Sequence, residues 1–210
     1  MENLGLHLQH VASRRHALLS AASAAVAIGF PAGPSPAASM SKTSSEQNMA
    51  DPAVARRVLQ VEHVRMETAK KFADVEAGLE RSVPPLDPEI AEALAKGDEQ
   101  RATELERDAP LFIFLKRDHG ELLQVTGQRR KALQYEIGNP HTASKMTRHR
   151  LAAGLYAPLR VILYEDEKGG SVFEYDKPSS LFDQFGDEQV SAVGRGLDVA
   201  LERALRQAAE

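Results

Sequence analysis

Two alternating apolar runs, Pro158 to Glu165 and Ser171 to Asp176, are separated only by Asp166-Glu167-Lys168-Gly169-Gly170. A parallel crossover needs about a dozen residues or more, so these two runs must pair as an antiparallel hairpin. The rest of the chain is arranged around that constraint. Arg57 to Met66 alternates, with Val58, Gln60, Glu62, Val64 and Met66 on one side and Leu59, Val61 and His63 on the other, which predicts a strand. Leu111 to Leu115 is a continuous apolar run bounded by Pro110 and the turn-forming Arg117-Asp118-His119-Gly120, as a buried strand would be, and Leu122 to Thr126 reads as its hairpin partner. Arg130 to Ile137 alternates again, with Leu133, Tyr135 and Ile137 facing one way.

Helical periods fill the intervals. Thr68 reads as the N-cap of a helix carrying Phe72, Val75 and Leu79, and Pro84-Pro85 breaks the chain. Asp87-Pro88 opens a short helix that runs through Ala95 and stops at Gly97, and another follows from Asp98 to about Arg107. Asp187 to Gln207 is the longest, with Val190, Val193, Leu197, Leu201 and Leu205 along one stripe. Strands joined by hairpins, with helices between and after them, define an α+β class: a single domain over 55–210 with a mainly antiparallel sheet packed by helices. With aromatics at 5% and no Trp, its core must be built from Leu, Val, Ile and Ala.

The domain is preceded by two segments of different character. Residues 1–40 contain Ser13-Arg14-Arg15-His16, an uncharged stretch from Ala17 to Phe30, and small residues ending in Ala37-Ala38-Ser39. That order matches a signal peptide and resembles a twin-arginine export signal, so a periplasmic or exported location is expected. Initiation at Met40 or Met49 would instead make the protein cytoplasmic. Residues 41–54 are polar and aperiodic, as in a flexible linker.

The net charge of −4 gives no electrostatic footprint for nucleic acid, and the 14-residue apolar stretch is too short for integral membrane association. The absence of Cys excludes thiolate catalysis, disulfides and Cys-based metal sites in this sequence. No HExxH or HxH spacing occurs, so neither a metal nor a cofactor is expected.

Three motifs mark the candidate site. Gly138-Asn139-Pro140 joins a strand to a helix, and the helix that follows carries His141, Lys145 and His149 at intervals of four, which predicts one basic face. Ala153-Gly154-Leu155-Tyr156-Ala157-Pro158-Leu159-Arg160 leads into the hairpin, where Arg160 shares a face with Ile162 and Tyr164, opposite Leu159, Val161 and Leu163. Glu174-Tyr175-Asp176 closes it, with Glu174 or Asp176 as candidate partners for Arg160, before Lys177-Pro178-Ser179-Ser180, where Ser179 or Ser180 reads as a helix cap. Taken with Leu111 to Gly120, these motifs resemble the bacterial and archaeal family called domain of unknown function 302, over roughly Val58 to Ala208. The resemblance implies a compact α+β domain and a homodimer, and it implies no particular reaction.

From the residues themselves, the leading expectation is a small anionic ligand bound near Asn139, His141, His149, Tyr156, Arg160 and Glu174. One alternative is an acid/base enzyme, a hydrolase or isomerase, using His141 or His149 with Glu174. Another is a homodimeric envelope interaction protein that uses the last helix. No catalytic residue is assigned.

Overall fold

The computed structural model describes residues 53–107 and 109–210. The signal-like segment and nearly all of the expected linker lie outside the described residues. Five strands, β1 (His63–Thr68), β2 (Phe112–Asp118), β3 (Ala132–Gly138), β4 (Leu159–Glu165) and β5 (Ser171–Asp176), form one sheet in the order β1-β5-β4-β3-β2. Every neighbouring pair is antiparallel. Seven α-helices are described: α1 (Phe72–Ser82), α2 (Pro88–Ala95), α3 (Glu99–Glu106), α4 (His119–Leu122), α5 (Pro140–Thr147), α6 (Pro178–Phe182) and α7 (Glu188–Ala209).

The alternation of the strands decides which face is covered. Leu133, Tyr135 and Ile137 of β3, Leu159, Val161 and Leu163 of β4, and Phe173 and Tyr175 of β5 all point to one face. There they join Val75 and Leu79 of α1, Met146 of α5, Phe182 of α6 and Val190, Leu197, Leu201 and Leu205 of α7 in a single core. The opposite face carries Arg160, Ile162 and Tyr164 of β4 and Val172, Glu174 and Asp176 of β5, and it is mostly polar, with Val172 buried among these groups. A second, smaller cluster joins Ile90 and Ala93 of α2 and Ala102 of α3 to Phe112. The β2 edge is capped by the segment before α2, since Ile113 N donates to Pro84 O and Leu86 N donates to Ile113 O, both at 2.9 Å.

Four local expectations are corrected. The first strand begins at His63 rather than Arg57, and Val58, which the alternation placed within it, is 98% exposed. Thr68 ends β1 instead of capping α1. Its hydroxyl donates to Ala209 O at 2.9 Å, tying the end of α7 to the sheet, while Lys71 occupies the N-cap without a side-chain bond. Leu122 to Thr126 is not a strand: α4 and a 3-10 turn occupy it, and β2 pairs with β3 instead. Asp118 starts that helix by accepting from Glu121 N at 2.8 Å. Neither Ser179 nor Ser180 caps α6: Asp198 of α7 accepts from Ser179 N at 2.8 Å, and Ser180 Oγ donates to Lys177 O and accepts from Glu62 N.

Candidate functional site

The strand-to-helix turn after β3 forms as its residues dictate. Asn139 takes an extended backbone and its Oδ1 accepts from Thr142 N at 2.9 Å, while Pro140 fills the first helical position. The first turn of α5 borders a cleft with room for about 80 Å³. Gly138, Asn139, Pro140, Thr142, Ala143 and Met146 form one wall. Phe114 from β2, Ala157, Pro158 and Leu159 at the start of β4, and Leu197 from α7 complete it. The Ala157-Pro158 peptide is cis. Asn139 and Thr142 supply the polar side chains, and the remainder of the lining is apolar.

The other residues singled out from sequence do not meet at this cleft. His141 is 8% exposed and faces α3, with Nε2 2.8 Å from Glu99 Oε1 and Nδ1 3.7 Å from Glu106 Oε2. His149 lies past the end of α5 and is exposed, so the expected basic face of His141, Lys145 and His149 does not form. The helix ends at Thr147, and His141 turns inward because two carboxylates await it there. Tyr156 packs edge-on against Phe182, with ring centroids 6.3 Å apart and planes at 87°, and also touches Phe185 at 6.2 Å. It belongs to the border of the core.

Arg160 lies on the face expected of it, with Ile162 and Tyr164, and is exposed. Glu174 is not its partner. The register sets Glu174 opposite Ile162 on one side and Arg65 on the other, while Arg160 stands opposite Glu136, which itself binds Arg117. Nor does Glu174 meet His141 or His149 as acid and base. Its histidine is His63, which sequence reasoning placed on a strand face without a role.

These open-face groups form one hydrogen-bonded chain. His63 Nδ1 lies 2.9 Å from Asp176 Oδ1, and Nε2 lies 3.2 Å from Glu174 Oε2. Tyr164 Oη donates to Glu174 Oε1 at 2.5 Å, and Arg65 Nη1 stands 3.5 Å from the same oxygen. The Tyr164 hydrogen bond, helped by His63 and Arg65, holds the Glu174 carboxyl below its ordinary range despite partial burial. The same bond pushes the Tyr164 phenol up. Hydrogen bonds to Asp176 and then Glu174 push the His63 imidazole up. Glu174 and Tyr164 are thus fixed in their charged and neutral forms at neutral pH, which suits a structural network better than proton transfer. Among the described residues, no group of three or more His, Asp and Glu side chains is arranged to hold a metal ion.

An α+β domain with one helix-covered and one polar sheet face, and a small cleft at the end of the sheet, is the class that fold and site define. The model of the family described as domain of unknown function DUF302 matches residues 99–208, just over half of the chain, and the chain belongs to that family. That match begins well after Val58, where the resemblance read from sequence started. The crystal structure of an uncharacterized conserved DUF302 protein from Bacillus stearothermophilus is similar in fold, with a TM-score of 0.52 at 16% identity, covering 70% of this chain and 97% of that one. No curated protein matches the chain. No described helix is long and apolar enough to cross a membrane.

Proposed function

We propose that this domain binds a small molecule with a short apolar body and one anionic end in the cleft at the start of α5. The observation that carries this reading is the cleft itself: an apolar enclosure whose polar side chains, Asn139 and Thr142, sit at a helix N-terminus. A helix start favours negative charge, and Asn139 keeps its amide nitrogen as a donor because its Oδ1 is committed to the cap. The cleft is far smaller than the roughly 300–1,000 Å³ of pockets for drug-sized ligands, so the ligand is of the size of a short carboxylic acid rather than a nucleotide. His141, His149, Tyr156, Arg160 and Glu174 are not among the residues that line this cleft, and the ligand site leaves them out.

The test is a titration followed by amide NMR, with propionate and butyrate as probes and the matching alcohols as controls. The acids should shift Gly138 to Ala143 and Leu197, the alcohols should act more weakly, and Ala143→Leu should abolish the response by filling the cleft. Shifts confined to Arg160 and its neighbours, or equal responses to acid and alcohol, would refute the assignment. Export belongs to the same reading and is supported by the Arg14-Arg15 segment. Native mass spectrometry of protein from its own host reads the mature N-terminus, any carried ligand and the homodimer that the resemblance implies.

A further inference from the structure

His63 opens the edge strand β1 and lies opposite Asp176 of β5 in the sheet register. Both of its ring nitrogens face carboxylate oxygens, at 2.9 Å and 3.2 Å. An ionised carboxylate can only accept, so both contacts are hydrogen bonds only when the ring carries two protons. The alternatives put the proton on Asp176 or on Glu174, and on Glu174 it is opposed by Tyr164 and Arg65, which already engage its other oxygen. The charged and titratable groups around the ring are Glu174 and Asp176 from β5, Arg65 from β1, which is also paired with Glu67, and Tyr164 from β4 through Glu174. Immediately before the ring, Glu62 forms an ion pair with Lys177 at 2.9 Å.

We propose that His63 is a pH-responsive clasp that fastens the start of the edge strand to β5 and thereby holds the segment preceding it. Protonated, the ring bridges Glu174 and Asp176. Deprotonated, it retains one donor, and two like charges two residues apart on one strand face lose the cation between them. At the junction beside the clasp, Lys177 N donates to Glu62 O at 2.8 Å and Glu62 N to Ser180 Oγ at 3.1 Å. Residues 53–62, just upstream, have no regular secondary structure. The direction follows from the raised imidazole value: a group whose folded value lies above its unfolded value near 6.5 stabilises fully below that value. Its contribution disappears as pH rises through the folded value. The clasp therefore closes below about pH 6.5 and opens as pH rises through the raised folded value.

The experiment is a pH series on the full chain, with histidine ring NMR to follow His63 and hydrogen-exchange protection factors for residues 62–68 to follow the strand. Protection factors divide out the intrinsic pH dependence of exchange. His63 should titrate above 6.5, and protection across Glu62 to Met66 should fall several-fold through that same titration. His63→Gln should remove the pH dependence, and Asp176→Asn should lower the His63 titration while leaving the fold intact. A His63 titration at or below the ordinary value, or the same pH-dependent protection in His63→Gln, would overturn the proposal. Because the readouts lie on β1 rather than at the cleft, failure here and failure of the ligand assignment are separate results.

Discussion

Tyr135 Oη, from the buried centre of β3, donates to Glu80 Oε1 of α1 at 3.1 Å, and Lys116 Nζ of β2 holds the same oxygen at 2.7 Å. One carboxylate thereby joins two adjacent strands to the helix that covers them. Burial, followed by the nearby Glu80 charge, pushes the phenol up, so it remains a donor at any ordinary pH. Tyr135→Phe removes the hydrogen bond but leaves Glu80 paired with Lys116, so the expected loss is that of an ordinary hydrogen bond, about 0.5–1.5 kcal/mol. Tyr135→Ala empties the ring's place in the core and should cost about 3–5 kcal/mol. Urea unfolding with an unchanged m-value measures both, and near-equal losses would contradict this division.

Two glycines make an opposed pair. A Cβ built on Gly120 would stand 2.1 Å from the carbonyl oxygen of Arg130, a backbone atom that cannot swing aside. Gly196, within α7, has nothing within 4 Å of the corresponding position. Gly120→Ala should therefore destabilise by about 1–3 kcal/mol or more as the turn is forced open. Gly196→Ala should stabilise by about 0.5–1 kcal/mol through helix propensity alone. Thermal unfolding of the two variants should move in opposite directions.

The residue pattern shows where local periodicity sufficed and where pairing at a distance took over. The β4–β5 hairpin follows from its sequence because Asp166 Oδ1 accepts from Lys168 N and Gly170 N, both at 2.8 Å, and Gly169 takes φ +81°, all within the loop. The inward sets of β3 and α7 were legible for the same reason. Leu122 to Thr126 misled because a short apolar run after a turn reads as a returning strand, yet Leu122 and Val125 are 65% and 90% exposed and three apart, a helical spacing. Capping by Asp118 and the tight seat of Gly120 select a helix there instead. The candidate site was legible only in part. Asn139 and Pro140 act through neighbours in sequence, whereas the other walls of the cleft come from β2, β4 and α7. The bond between Glu174 and His63 depends on the register of strands more than a hundred residues apart, which no local pattern encodes.

The last helix rests on a single cap. Asp187 Oδ1 accepts from Gln189 N at 3.0 Å and Val190 N at 3.4 Å, and Oδ2 lies 3.5 Å from Arg150 Nε. Asp187→Ala should cost about 0.5–2 kcal/mol, since α7 supplies Val190, Leu197, Leu201 and Leu205 to the core and its first turn would fray. Asp187→Asn retains the acceptor and should recover most of the loss. Equal losses in both variants would transfer the effect to the Arg150 contact.

Glu174 contributes to stability on the acid side. Its folded value is depressed, chiefly by Tyr164, so its contribution is present above the unfolded value near 4.5 and is lost as pH falls through the lower folded value. The stability difference between wild type and Glu174→Gln should therefore be largest above the unfolded value near 4.5 and shrink as pH falls through the lower folded value. Tyr164→Phe should raise the Glu174 titration towards the ordinary carboxylate range, because the largest cause of its depression is removed. Carboxyl carbon NMR of Glu174 reads that titration directly, with urea unfolding at each pH reading stability. His63, whose value is raised, stays protonated in this acid range and does not itself add to these changes. If Tyr164→Phe leaves the Glu174 titration where it was, the short hydrogen bond is not what keeps this carboxylate ionised, and His63 and Arg65 carry that role.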